Sequence, residues 1–130
     1  MVVTITNIET GKSVEANYAI ECLVDNAEFI IEARVEESGT VFDYSDFRLG
    51  EALGIITMFK YMVRNWNISI NTDTARALGV AFTVVADSCE YLMDGDLQNT
   101  LGDIEEIRSI ACMWGVIFEE LGNKLIDISR

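Results

Sequence analysis

The chain has no histidine and no proline, nine basic residues against 22 acidic ones, and three cysteines in 130 residues. Without histidine, Ser–His and Cys–His nucleophile pairs are excluded, as is the side chain that most often ligates transition metals. The scarcity of Lys and Arg leaves a formal net charge of −13. Such a chain repels nucleic-acid phosphates and anionic membranes, and it attracts basic surfaces. Cys22, Cys89 and Cys112 are odd in number, far apart and without a C-x-x-C pair. That pattern suggests neither a disulfide framework nor a cysteine zinc site. They read as free core thiols of a protein from a reducing compartment. Long hydrophobic runs are missing too. The uncharged apolar stretches 77–86 and 109–118 reach only about half of the ~20 residues that a membrane-spanning helix needs. The first residues lack the basic start and apolar core of a secretory signal, so a cytoplasmic protein is expected. The Asn67-Ile68-Ser69 sequon then has no role.

What is present is strong apolar periodicity. Half of the residues are hydrophobic, and mean hydropathy is +0.23, which argues against disorder. Three stretches repeat apolar residues at alternating steps of three and four: Leu49, Ala52, Ile56, Phe59, Val63 and Trp66; then Ala75, Leu78, Phe82, Val85, Cys89 and Leu92; then Ile104, Ile107, Ala111, Trp114, Phe118, Leu121, Leu125 and Ile128. Each set falls on one stripe of an α-helix. Ser45 or Asp46, Thr72 with Asp73, and the run Asp103-Ile104-Glu105-Glu106 supply the starts of the three helices. Residues 65–71 and 94–102 serve as connections. Phe82, Val85, Trp114 and Phe118 are predicted core residues. Stretch 77–86 carries no charge on any face, and Ile110, Met113 and Ile117 widen the apolar coverage of the third helix. A helix apolar all round is either central in its fold or covered by another copy, so a homodimer is an expectation here.

The first 45 residues follow another period. Val14, Ala16, Tyr18, Ile20, Cys22 and Val24 are apolar or small at even positions, with Glu15, Asn17 and Glu21 among the odd ones, and Phe29, Ile31, Ala33 and Val35 stand opposite Glu32 and Arg34. Alternation of this kind predicts half-buried strands over 14–24 and 29–35. Outer strands over 2–8 and 40–44 complete the pattern, with turns at 9–12, 25–26 and 37–39. The expectation is α+β: a four-stranded antiparallel β-meander in about 1–45, followed by three amphipathic helices in about 46–130, packed on one face of the sheet. No repeat, low-complexity tract or linker interrupts residues 1–130, so one domain is expected.

The search for chemistry finds little. Thr10-Gly11-Lys12-Ser13 ends like a phosphate-binding loop, but Thr6 stands where the first glycine is required, and a strand rather than a helix follows. It reads as a hairpin turn. Asp94-Gly95-Asp96 lacks the ligand spacing of a calcium loop. Ser38-Gly39-Thr40-Val41-Phe42-Asp43-Tyr44-Ser45-Asp46-Phe47-Arg48 resembles the strand-to-helix junction of the 6-pyruvoyltetrahydropterin synthase family over eleven residues of 130, and no family is claimed from it. That family's zinc site is built of histidines, so its activity does not carry over, and no cofactor or metal is expected.

The acids are left. Asp87, Glu90, Asp94, Asp96, Asp103, Glu105 and Glu106 occupy one stretch with no basic residue among them, and Glu28, Glu32, Glu36 and Glu37 add to the acidity. A solvated surface is one meaning. The sharper one is a non-enzymatic inhibitor that presents these seven residues to a basic, nucleic-acid-binding protein, its carboxylates standing in for phosphates. Small acidic inhibitors, many anti-CRISPR proteins among them, are similar in these bulk properties. The alternatives are a homo-oligomer that binds or scavenges a small ligand, and an enzyme of unknown class that uses carboxylates, Tyr or Cys.

Overall fold

The structure, a computed structural model, describes residues 2–37, 47–62, 66–100 and 102–130. Strands β1 (Val3–Asn7) and β2 (Ser13–Ala16) precede helices α1 (Ile20–Glu37) and α2 (Phe47–Met62). Strand β3 (Asn67–Ile70) then leads to α3 (Thr72–Asp94) and α4 (Ile104–Ile128). The sheet order is β2-β1-β3. β1 pairs antiparallel with β2, Ile5 opposite Val14, and parallel with β3, Ile5 opposite Ile68. Val3, Ile5, Asn7, Val14, Ala16, Ile68 and Ile70 are buried on one face, while Ser13, Glu15, Asn67 and Ser69 are exposed on the other. Alternation along the strands thus gives the sheet one dry face, and the helices cover it.

The α+β class and the one-sided sheet agree with the sequence reading; the strand and helix counts do not. The sheet is mixed and three-stranded, and there are four helices. Segment 14–24 is a strand only to Ala16, and 29–35 lies inside α1. The apolar residues of α1 support both periods. Phe29, Ile31, Ala33 and Val35 alternate, yet Leu23, Val24, Ala27, Ile30 and Ile31 follow the helical spacing and are the ones most fully buried. Glu21, Asp25, Glu28, Glu32 and Glu36 line the opposite face at steps of three and four. Asn26, read as part of a turn, sits within the helix, where its Nδ2 donates to the Cys22 carbonyl oxygen (2.7 Å). Residues 67–70, read as connection, form β3; their alternation is too brief to stand out from a loop. Trp66 leaves the expected stripe, lying beyond α2 at φ 65° and exposed. The predicted strand 40–44, the caps Ser45 and Asp46, Val63 and nearly all of the resemblance segment 38–48 lie outside the described residues.

The remaining stripes hold. Leu49, Ala52, Ile56 and Phe59 on α2 are buried, as is the whole α3 set and the α4 set apart from Ile104. α3 packs against α1, α2 and α4, which accounts for its uncharged stretch 77–86 within one chain and leaves only Val80 exposed there among its larger residues. Phe59, Phe82, Phe118 and Trp114 form a continuous aromatic row across α2, α3 and α4, with centroids 5.9, 5.9 and 5.6 Å apart, and Tyr18 closes its end at 5.3 Å from Trp114. α3 and α4 approach so closely that a Cβ on Gly79 would lie 2.8 Å from the Gly122 carbonyl oxygen, and one on Gly122 would lie 2.9 Å from that of Gly79. Asn7, fully buried, donates from Nδ2 to the Ile128 carbonyl oxygen (2.8 Å) and to Thr72 Oγ1 (3.1 Å), and its Oδ1 accepts from the Glu9 amide. It joins the first strand to the start of α3 and the end of α4. The 10–13 turn is a hairpin turn, as predicted, with Gly11 at φ 75°.

Candidate functional site

Because α3 and α4 form a helical hairpin, the end of one meets the start of the other. The seven predicted acids therefore gather at one end of the molecule. Asp87, Glu90 and Asp94 share a face of α3, spaced three and four apart, and with Tyr91 and Gly95 they line a shallow hollow. Asp103 caps α4: its Oδ1 accepts from the Glu105 amide (3.0 Å), as the sequence suggested. Asp96 Oδ2 accepts from Gln98 Nε2 (2.8 Å). Glu105 and Glu106, in the first turn of α4, are exposed like Asp87, Glu90 and Asp94. All seven are exposed, and two of them are also engaged in local structure.

The position of each acid along its helix decides its energetic effect. Carboxylates in the first turn of α4 meet the positive end of the helix dipole and are favoured. Asp94 ends α3 and Glu90 lies one turn earlier, with no basic residue in that last turn. Asp94 therefore meets the negative end of the dipole, at a cost of about 0.3–1 kcal/mol, while the effect has fallen off by Glu90.

Sequence spacing missed three residues at this end. Arg34 of α1 places its guanidinium 3.5 Å from the centre of the Tyr91 ring, a cation–π contact amid the acids of α3. Arg108 donates from Nη2 to the Gly95 carbonyl oxygen (2.9 Å). Both cations therefore reach the acidic end, one from another helix and the other from two positions past Glu106. Glu37 is the third. It is only 6 % exposed and belongs to no open acidic surface. Its Oε1 accepts from the Gln98 amide (2.7 Å), and its Oε2 accepts from those of Asn99 (3.0 Å) and Thr100 (3.1 Å). The Gln98 amide, seconded by the other two, holds its carboxyl below the ordinary 4.5, against the opposing effects of burial and of the Asp96 charge. No sequence signal announces a carboxylate seated on three consecutive amides.

The thiols differ from expectation as well. Cys89 is buried, and desolvation pushes its pKa up to about 12. Cys22 and Cys112 are exposed rather than in the core, because each lies on the outer side of its helix. Among the described residues no three His, Cys, Asp or Glu side chains converge as a metal site, and no helix is long and apolar enough to cross a membrane. A second concavity of about 310 Å³ lies between α2 and α3. Ile55, Ala77, Val80 and Val84 help form its floor, and Arg48, Glu51, Asp73 and Arg76 surround it. Arg76 sits 3.7 Å from Asp73 in the one ion pair found between described residues.

No protein-family model, no curated protein sequence and no solved structure matches the chain. Function must be read from the surface itself.

Proposed function

We propose that this is a non-enzymatic acidic binding protein that docks on the basic face of a nucleic-acid-handling protein and inhibits it, as anti-CRISPR proteins and nucleic-acid mimics do. The observation that supports this most is the placement of Asp94 at the C-terminal end of α3, where the helix dipole disfavours it and no ion pair between described residues offsets it. A surface shaped only by folding stability has no reason to keep an acid there; one shaped for docking has. The partner-facing set is Asp87, Glu90, Asp94, Asp96, Asp103, Glu105 and Glu106. Exposed free thiols at Cys22 and Cys112 fit a cytoplasmic protein.

The test is affinity capture from the native host cell with nucleases present, followed by association kinetics with the purified partner at several salt concentrations. The association rate is expected to fall steeply with salt. Charge reversal at Asp94, Asp96 and Glu105 together should slow association at low salt without loss of the fold. A variant that associates as fast as wild type would reduce the acids to a solubilising role.

The groove between α2 and α3 supports a second reading, a ligand-binding homo-oligomer. A small molecule retained through purification, and displaced when Val80 is enlarged to Phe, would favour it.

A further inference from the structure

The hollow between α2 and α3 has two unlike ends. Phe59 of α2 meets Phe82 of α3 at similar distances from the two helix starts, so the helices run side by side in one direction. Arg48, Glu51, Asp73 and Arg76 come from the first two turns of these helices, and Ile55, Val80 and Val84 follow further along. The charges therefore gather at one end of the hollow, and the other end is apolar. Ala52, Ala81 and Val84 are buried beneath it, and the short alanine side chains leave the space above them open. A volume of about 310 Å³ lies at the lower end of the range for small-molecule sites.

The charged end is balanced in sign but not fully paired. Arg76 stands 3.7 Å from Asp73. Arg48 and Glu51, one turn apart on α2, make no ion pair with each other or with any other described residue. One unpaired cation and one unpaired anion thus border a single apolar trough, on a chain whose acids outnumber its bases by more than two to one.

We propose that the hollow binds a small zwitterion with an apolar tail, of the class of α-amino acids with an extended aliphatic side chain. The carboxylate meets Arg48, the ammonium meets Glu51, and the tail lies along Ile55, Val80 and Val84. This gives a ligand class to the groove of the second reading, on which it rests, and is independent of the acidic end of the molecule. The tail supplies most of the affinity, because apolar burial outweighs ion pairs that stay in contact with water. The head supplies selectivity. A lone carboxylate at the charged end sets its charge against Glu51, and a lone ammonium sets its charge against Arg48. A zwitterion offers each side chain the opposite sign. Arg48 and Glu51 are separated by only ~4.5 Å along the helix axis, which suits two groups borne on one carbon. From Ala77 to Val84 the trough runs ~10 Å along α3, long enough for a hexyl chain.

The probes are 2-aminooctanoic acid and three molecules that each lack one part of it: octanoic acid without the ammonium, octylamine without the carboxylate, and alanine without the tail. Titrations followed by amide NMR at about 0.15 M salt, where long-range repulsion is screened, report both site and affinity. The longer amino acid should shift the amides of Ile55, Ala77 and Val80. It should bind at least about tenfold more tightly than alanine, and about threefold more tightly than octanoic acid or octylamine. Arg48→Gln should remove its advantage over octylamine, and Glu51→Gln its advantage over octanoic acid. Both side chains are exposed, so helical content should not change. Val80→Phe, at a position 43 % exposed, should fill the trough and remove the advantage over alanine. An advantage that survives in a folded Val80→Phe variant overturns the proposal. If that variant does not fold, the four ligands on the wild type still decide. Octanoic acid or octylamine binding there as tightly as the amino acid overturns the zwitterion and leaves the groove reading standing; no binding there by any of the four overturns both. A wild-type dimer in sedimentation that Val80→Phe dissociates also overturns the proposal, because a second copy then fills the hollow. Charge reversal at Asp94, Asp96 and Glu105 should leave all four affinities unchanged, so failure here is separable from failure of the docking reading.

Discussion

Replacing Gly79 with alanine sets two effects of opposite sign against each other. In the middle of a helix, alanine is favoured over glycine by about 1 kcal/mol, because glycine loses more backbone freedom on folding. At Gly79 the new methyl would lie 2.7 Å from Ile126 Cγ1, 2.8 Å from the Gly122 carbonyl oxygen and 2.9 Å from the Ile126 nitrogen. The isoleucine carbon can turn away. The other two atoms are backbone, so α3 and α4 must separate, and the Phe82–Phe118 stack that spans them must loosen. Overpacking of this kind costs about 1–3 kcal/mol, with the upper end expected when backbone is struck. The balance is a loss of about 2 kcal/mol, or a fall in Tm of roughly 5–10 °C. Gly54 supplies the internal control. It lies in α2 with nothing within 4 Å of the corresponding position, so Gly54→Ala should raise stability by about 0.5–1 kcal/mol. Adding Gly122→Ala to Gly79→Ala should cost less than the sum of the single changes, because the same separation of the helices relieves both. Urea denaturation of the wild type and the four variants decides the matter. A neutral or stabilising Gly79→Ala would show that the two helices do not pass as closely as described.

Phe118 lies fully buried between Phe82 and Trp114, so Phe118→Ala should cost about 3–5 kcal/mol, readable as a lower denaturant midpoint. The lowered pKa of Glu37 means that the unfolded chain binds its proton first as acid is added. Its stabilisation is therefore present above the ordinary 4.5 and is lost as pH falls through the lower folded value. Glu37→Gln should flatten the fall in stability across that window, and an unchanged slope in acid titration would contradict the three-amide seat. In the native protein Cys22 and Cys112 should react promptly with a disulfide reagent near pH 8, and Cys89 only on unfolding, since its thiol stays protonated up to about 12.

Long stripes were legible in the sequence and short ones were not. α3 and α4 each show several turns of consistent spacing, enough to fix the buried face of Phe82, Val85, Cys89, Trp114 and Phe118. α1 offered two periods at once. The deciding signal was available on its polar side, where Glu21, Asp25, Glu28, Glu32 and Glu36 recur at helical rather than alternating steps. β3 could not be read at all, because a strand flanked by Trp66 and Asn71 is defined by its partner β1 rather than by its own residues. At the candidate site, the carboxylates of α3 were placed by spacing alone. The roles of Arg34 and Glu37 were not, since each depends on α1 lying beside the end of α3. That is a tertiary fact without a local signature.

The bond from Asn7 to the Ile128 carbonyl joins residues 121 positions apart, and this has a kinetic consequence. α3 and α4 are joined by a short connection and can meet early, at little loop-closure cost. β1 cannot pair with β3 until the intervening chain is in place, and Asn7 cannot find Ile128 until α4 is complete. The folding nucleus is therefore expected in the α3–α4 hairpin, with the N-terminal strands added after the barrier. Substitutions at Phe118 should slow refolding. Asn7→Ala should leave refolding nearly unchanged and accelerate unfolding instead. The clasp that spans the chain would then act as its kinetic lock, closing last and opening first.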